Sequence, residues 1–260
     1  MGKNLDIQKQ FNEYKKKRTL YLFFLFGIVI IPLLAWLIIT ILDVKIENMY
    51  FYVMIIVLVV FIIYIMNVTK LMYIIMHYEY FRMLSEEVPP TKIEHKIFTQ
   101  SWLNHISNIE YDKTFEDDHL LMFAKLIKKN KLMPSPQPVL SIILIAKDES
   151  YDFYSQQADD LINAQLRKYQ QKDKVNKLIV LQFKKYEKWT IEHKNECDQI
   201  INYRGGVQYM IHLTVGYFPK SSQIYYLRPI KRFPNKYYYY ASLLIHQLCF
   251  MNSEEDHEST

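Results

Sequence analysis

The sequence predicts an α/β protein in two parts: a two-helix transmembrane hairpin, then a cytosolic three-layer α/β domain with a mixed sheet. Three observations predict it. Two apolar runs free of charged side chains, 19–42 and 49–68, open the chain. Two later segments, Val139–Ala146 and 177–183, are apolar enough to read as strands covered on both faces. Around them, apolar residues recur at helical spacing.

Each run is long enough to cross a hydrocarbon core of roughly 30 Å at about 1.5 Å per residue. Gly27 and Pro32 in the first are tolerated within a membrane, and Pro32 removes one backbone donor, which predicts a kink. Residues 1–18 form a basic cytosolic arm carrying Lys3, Lys9, Lys15, Lys16, Lys17 and Arg18. The connection, 43–48, holds one base, Lys45, and can join the two spans only as an antiparallel hairpin with an external loop. The positive-inside rule then gives a multi-pass cell-membrane protein with both termini cytosolic. Lys15, Lys16, Lys17 and Arg18, with the rings of Tyr21, Trp36, Tyr50 and Tyr52, are the expected membrane-interface residues. The first run is too long for a signal peptide's apolar core and no small-x-small site follows Leu42, so cleavage is not expected. Neither run holds an ionisable group other than tyrosine to line a transport pathway.

Residues 69–90 read as a juxtamembrane helix and linker. Leu71, Ile74, Ile75, Tyr78 and Phe81 keep helical spacing until Pro89-Pro90 stops it. The cytosolic domain, 91–251, opens on Thr91-Lys92-Ile93-Glu94, a capping-box pattern that predicts a helix over 92–106. Strands at 108–115 and 119–127 follow, joined by the turn Glu116-Asp117-Asp118. Pro134, Pro136 and Pro138 mark an extended connection to the strand Val139–Ala146. Tyr154, Ala158, Leu161, Ile162 and Tyr169 trace a helix, and 177–183 is the next buried strand. Tyr186, Trp189, Thr190, His193, Cys197, Ile200 and Ile201 predict one amphipathic helix. A turn at Gly205-Gly206 leads to a hairpin of strands 207–217 and 223–230. Tyr237, Tyr240, Ala241, Leu244, Ile245 and Leu248 form the stripe of a last helix, and 252–260 is an acidic, disordered tail. The order is α-β-β-β-α-β-α-β-β-α, with a right-handed parallel crossover between the two buried strands.

The net charge of +5 is concentrated at the N-terminus: the arm carries +4, the loop −1, and residues 49–260 only +2. Nucleic-acid binding normally needs a stronger basic field, so none is expected. Cys197 and Cys249 are expected to be free thiols in a cytosolic domain. The sequence has no GxxxxGK[ST], GxSxG, HExxH or GxGxxG motif, and no cofactor is expected.

Over residues 92–183 the order helix–strand–strand–strand–helix–strand resembles the restriction-endonuclease-like nucleases. That resemblance implies an acid at the start of the second strand, where Asp117 or Asp118 stands, and an acid-x-Lys motif on the third. Ile145-Ala146-Lys147 supplies the lysine and has isoleucine in the acid's place. A divalent metal would need that carboxylate. Asp117, Asp118, Lys147 and Glu149 are therefore the catalytic candidates.

Ligands of open α/β sheets bind beyond the carboxyl ends of parallel strands. This makes Lys147, Asp148, Glu149, Lys184 and Lys185 the binding candidates, although Asp148, Ser150 and Asp152 fit helix caps equally well. His193 and Cys197 share a helix face without a second ligand pair, so packing rather than metal binding is expected. The four tyrosines at 237–240, behind Lys231, Arg232 and Lys236, fit base stacking, a membrane surface or core packing, and core packing is favoured because two fall on the last helix's stripe. The function expected is a non-catalytic, membrane-anchored binding or regulatory module that recruits a protein partner or a second copy. The alternatives are a diverged enzyme and an accessory subunit of a larger membrane complex.

Overall fold

A computed structural model describes residues 2–41, 49–128, 137–205 and 208–250. The expected loop at 43–48, Pro134, Pro136, Gly206 and the tail 252–260 lie outside the described residues. The chain divides into two compact units, Met1–Glu86 and Glu87–Thr260.

The first unit is two helices, α1 (Gly2–Ile41) and α2 (Met49–Ser85). Both are long and apolar enough to cross a membrane. Pro32 lies inside α1, which continues through it. The basic N-terminal residues are the beginning of α1, and residues 69–85 are the end of α2. These two ends pair antiparallel through their rings. Phe11 stacks on Tyr78 with centroids 5.5 Å apart, and Tyr14 stacks on His77 at 5.1 Å and Phe81 at 5.5 Å. The Arg18 guanidinium sits 4.0 Å from the Tyr78 ring centroid, a cation–π contact that offsets part of the cost of bringing a charge to this seam.

The second unit has eight strands and four helices among its described residues. In chain order they are β1 (Thr91–Lys92), α3 (Gln100–Asn108), β2 (Asp112–Glu116), β3 (Leu120–Ile127), β4 (Val139–Ala146), α4 (Gln156–Asp173), β5 (Lys177–Lys185), α5 (Ile191–Asp198), β6 (Ile200–Gly205), β7 (Gln208–Phe218), β8 (Gln223–Tyr225) and α6 (Lys236–Phe250). The strands form one mixed sheet in the order β1-β8-β7-β5-β4-β3-β2, with β6 also on β7. β4, β5 and β7 are parallel neighbours; the remaining ladders are antiparallel. β6 and β8 lie end to end along the outer edge of β7: Ile200 pairs with Leu213, and Tyr225 with Gly216.

Successive side chains of a strand face opposite sides, so the contacts sort the helices. Ile162 of α4 shares a cluster with Leu140, Ile142, Leu144, Leu178 and Val180, all even-numbered. Trp102 of α3 meets Phe183, and Tyr111 bonds Ser141, both odd-numbered, on the opposite face. Trp102 also donates its indole N–H to the Leu248 carbonyl of α6 at 2.7 Å.

The observed order adds two strands to the expected one. Thr91 opens no helix: Thr91 and Lys92 pair with Ile224 and Gln223, and the helix begins at Gln100 behind Thr99, whose hydroxyl accepts from Trp102 N at 3.3 Å. The 186–201 helix is likewise cut short. Thr190 caps α5 and the helix ends at Asp198, so Ile200 and Ile201 enter β6, where they satisfy the edge of β7. A residue run that fits both periods goes where unpaired backbone groups need partners. The last hairpin strand stops at Tyr225, and 226–230 carries no ladder.

Candidate functional site

The carboxyl ends of β4 and β5 and the β2–β3 turn converge at one end of the sheet, because Leu120 pairs with Ala146 and Ile145 with Phe183. Lys147 reaches from the end of β4 to Glu116, 2.8 Å from Oε1, and to the Asp117 carbonyl at 2.5 Å. Lys113 also pairs with Glu116. The Lys113 and Lys147 ammonium groups hold the Glu116 carboxyl down to about 2. Asp117 closes its turn: Oδ1 accepts from His119 N at 2.8 Å and Leu120 N at 2.6 Å, while Oδ2 accepts from Gln157 Nε2 at 3.3 Å. Asp118 is exposed in the same turn. The position where the nuclease resemblance requires a carboxylate is Ile145, buried between Leu121 and Phe183 in the ladder.

Asp148 folds back on its own loop, accepting from Ser150 N and Oγ, and contacts His119 Nδ1 at 3.1 Å. The Ser150 hydroxyl and then the His119 ring lower its pKa. Asp152 Oδ1 accepts from Tyr154 N. The cap of α4 is Ser155, whose hydroxyl accepts from Ala158 N. Glu149 accepts from Glu187 N at 3.3 Å and lies 3.1 Å from His193 Nε2.

The candidate lysines differ sharply. Lys184 is buried, donating to the Tyr151 carbonyl at 2.8 Å and to Glu196 Oε1 at 2.6 Å. Lys185, the next residue, is exposed. Behind Lys184 lies a buried polar and aromatic cluster. Tyr186 stacks on His193 at 4.4 Å and on Phe218 at 5.6 Å. Asp198 accepts from Tyr225 Oη at 2.5 Å and from Lys194 Nζ at 2.7 Å. Burial pushes the Cys197 thiol, the Tyr186 phenol and the Tyr225 phenol well up. His193 and Cys197 do not share a ligand position: the imidazole Nδ1 meets the Lys188 carbonyl at 2.8 Å, and Cys197 packs beside Gly216. Among the described residues no three His, Cys, Asp or Glu side chains are grouped to hold a metal ion.

Of the sequence candidates, Asp117 and Lys147 come together; Asp148 and Glu149 line the adjoining loop, and Lys184 is taken up inside the domain. Glu116, His119 and Gln157 join Lys147, Asp148 and Asp117, Glu196 pairs with Lys184, and none of these partners was legible as such. Glu116 alone had a signal, its place beside Asp117 in the turn. The chain matches no protein-family model, curated protein or solved structure.

Proposed function

We propose that this chain is a cell-membrane protein crossing the bilayer twice, with both termini in the cytosol, whose α/β domain is a binding module that recruits a protein partner. Support for the anchor comes from α1 and α2, which leave large apolar side chains such as Phe23, Ile31, Val57 and Met66 exposed. Water penalises such a surface at about 25 cal/mol per Å², and lipid does not. The observation that carries the binding reading is Trp189 with Ile191. They are 43% and 66% exposed, and the Trp189 ring stands edge-on to Phe218 and Tyr225, each 4.9 Å away. An aromatic anchor held by two rings yet open to solvent is the kind of residue that dominates protein interfaces.

Affinity purification of the detergent-solubilised chain, with mass spectrometry, tests this. A partner retained by the wild type and lost in W189A/I191E supports the reading. Recovery of the chain alone and monomeric overturns it, together with the alternative of an accessory subunit in a larger complex. Retention after an alkaline carbonate wash tests the anchor. Labelling from outside intact cells tests topology: a cysteine introduced near Asn48 reacts and one near Thr260 does not.

One observation favours a second reading, a diverged metal-dependent nuclease. Glu116 places a carboxylate 2.8 Å from Lys147 although Ile145 occupies the usual acid's position. Magnesium- or manganese-dependent cleavage of DNA that K147A abolishes supports it, and no cleavage by the wild type overturns it.

A further inference from the structure

The small net charge after the apolar runs is an average over unevenly distributed charges. Residues 87–250 contain twenty-three Lys and Arg against seventeen Asp and Glu, and the four acids of the tail offset most of that surplus. No acid occurs between Asp198 and Glu254, a stretch that holds Arg204, Lys220, Arg228, Lys231, Arg232 and Lys236.

The strand register shows where the surplus gathers. Ile127, Val139, Lys177, Tyr209 and Arg204 stand in one row across the sheet, at the amino ends of the parallel strands. Lys128 follows Ile127 and is exposed; Lys174, exposed in the left-handed cap of α4, precedes Lys177 by three residues. The loop before α6 ends here too, because Tyr209 Oη donates to Asn235 Oδ1 at 2.9 Å. Lys231, Arg232 and Lys236, all exposed, are within four residues of Asn235 and so within about 14 Å of it. Asp173 at this pole is half-buried, and two exposed acids lie towards the same end: Asp112, paired with Ala124, and Glu110, 3.1 Å from Lys125 Nζ. Glu116, Asp117, Asp118, Asp148 and Glu149 lie at the other end of the strands.

Aromatic rings interleave with these bases. Tyr237 stacks on Tyr209 at 4.2 Å with the Lys177 ammonium 5.4 Å from its centroid. Tyr239, 37% exposed, packs edge-on against Phe233 at 5.1 Å. Tyr238 and Tyr240 are buried, so the four-tyrosine run divides into two core rings and two that face this pole. Cations spaced with aromatic faces match a backbone of phosphates carrying unstacked bases.

We propose that the basic pole formed by Lys128, Lys174, Lys177, Lys231, Arg232 and Lys236, with Tyr237 and Tyr239, binds single-stranded nucleic acid. Phosphates neutralise the lysines and arginine, and bases stack against the tyrosine rings without sequence readout.

The test uses the full chain in phosphatidylcholine nanodiscs and a fluorescein-labelled oligouridylate or oligothymidylate of about twenty nucleotides, a length above the site size of typical single-strand modules. Fluorescence polarisation is followed against salt. Saturable binding that weakens with salt is expected. Each neutralised phosphate contributes about −0.7 to the log–log salt slope, so K231Q/R232Q/K236Q flattens that slope by about 2. Y239A weakens binding about tenfold. The charge-matched K92Q/K188Q/K220Q, at the other end of the sheet, leaves both quantities unchanged. Circular dichroism confirms that the variants fold. No saturable binding, equal loss in the two triple variants, or equally tight binding of a polyglutamate of matched charge overturns the proposal. So does exclusive binding to phosphatidylserine vesicles, which would assign the pole to lipid.

Discussion

The Lys184 ammonium lies 2.6 Å from Glu196 Oε1, and its side chain is 4% exposed while that of Glu196 is 30% exposed. The two partners therefore lose differently when the pair is broken. In E196Q the lysine stays buried with the Tyr151 carbonyl, the Tyr186 ring and a neutral amide, which costs about 3 kcal/mol. In K184M the stem still packs and Glu196 turns to water, which costs about 1 kcal/mol. Thermal unfolding in detergent followed by near-ultraviolet circular dichroism checks the asymmetry; equal losses would contradict it.

Gly216 occupies a crossing point, paired with Lys184 on one side and Tyr225 on the other. A Cβ there would lie 2.8 Å from Cys197 Sγ and 2.9 Å from Tyr186 Cε2. G216A therefore destabilises by about 1–3 kcal/mol through overpacking. C197A added to it restores part of the loss, since the nearest obstructing atom is gone. The double-mutant cycle reads a coupling of opposite sign to the G216A loss.

His212 is buried on β7 with Nε2 lacking a hydrogen-bond partner, and desolvation lowers its pKa from 6.5 to about 4. The fold holds the neutral ring, whereas the unfolded chain takes up a proton near pH 6.5. Between those values the unfolded state binds more protons, so stability falls as pH drops from 6.5 to about 4, by about 3 kcal/mol. H212L removes that contribution and the orphan nitrogen together. Its unfolding free energy, measured across this window, shows a flatter pH profile than the wild type's.

Trp102 is fully buried and its indole N–H is held by the Leu248 carbonyl. W102F keeps a ring near Phe183 but leaves that carbonyl unsatisfied and a void beside it. The expected loss is about 2 kcal/mol, seen as a lower unfolding midpoint.

Much of this molecule is written locally. The length and apolarity of 19–42 and 49–68 determined two long helices, and the unbroken run at Val139–Ala146 determined a central strand with the bounds observed. The stripes through Ile162 and Leu244 determined α4 and α6. These signals are strong because burial on both faces, or along a whole helix face, admits few residue types. Asp117 and Lys147 could be named as candidates, but not their shared neighbour Glu116, because contact across a turn and a strand end depends on register, which no residue type encodes.

Tertiary structure decided the rest. Ile200 and Ile201 fit a helix as well as a strand, and the unpaired outer edge of β7 claimed them. Thr91 had the chemistry of a helix cap, yet the edge of β8 took its backbone. Lys184 and Lys185 are chemically identical neighbours, and the alternation of a strand sent one into an ion pair and the other to solvent. Composition fixes the sum of the charges, while strand order and direction decide which of them stand together at one end of the sheet. Backbone pairing and long-range electrostatics act between residues distant in the chain, so they are settled only when the strands meet.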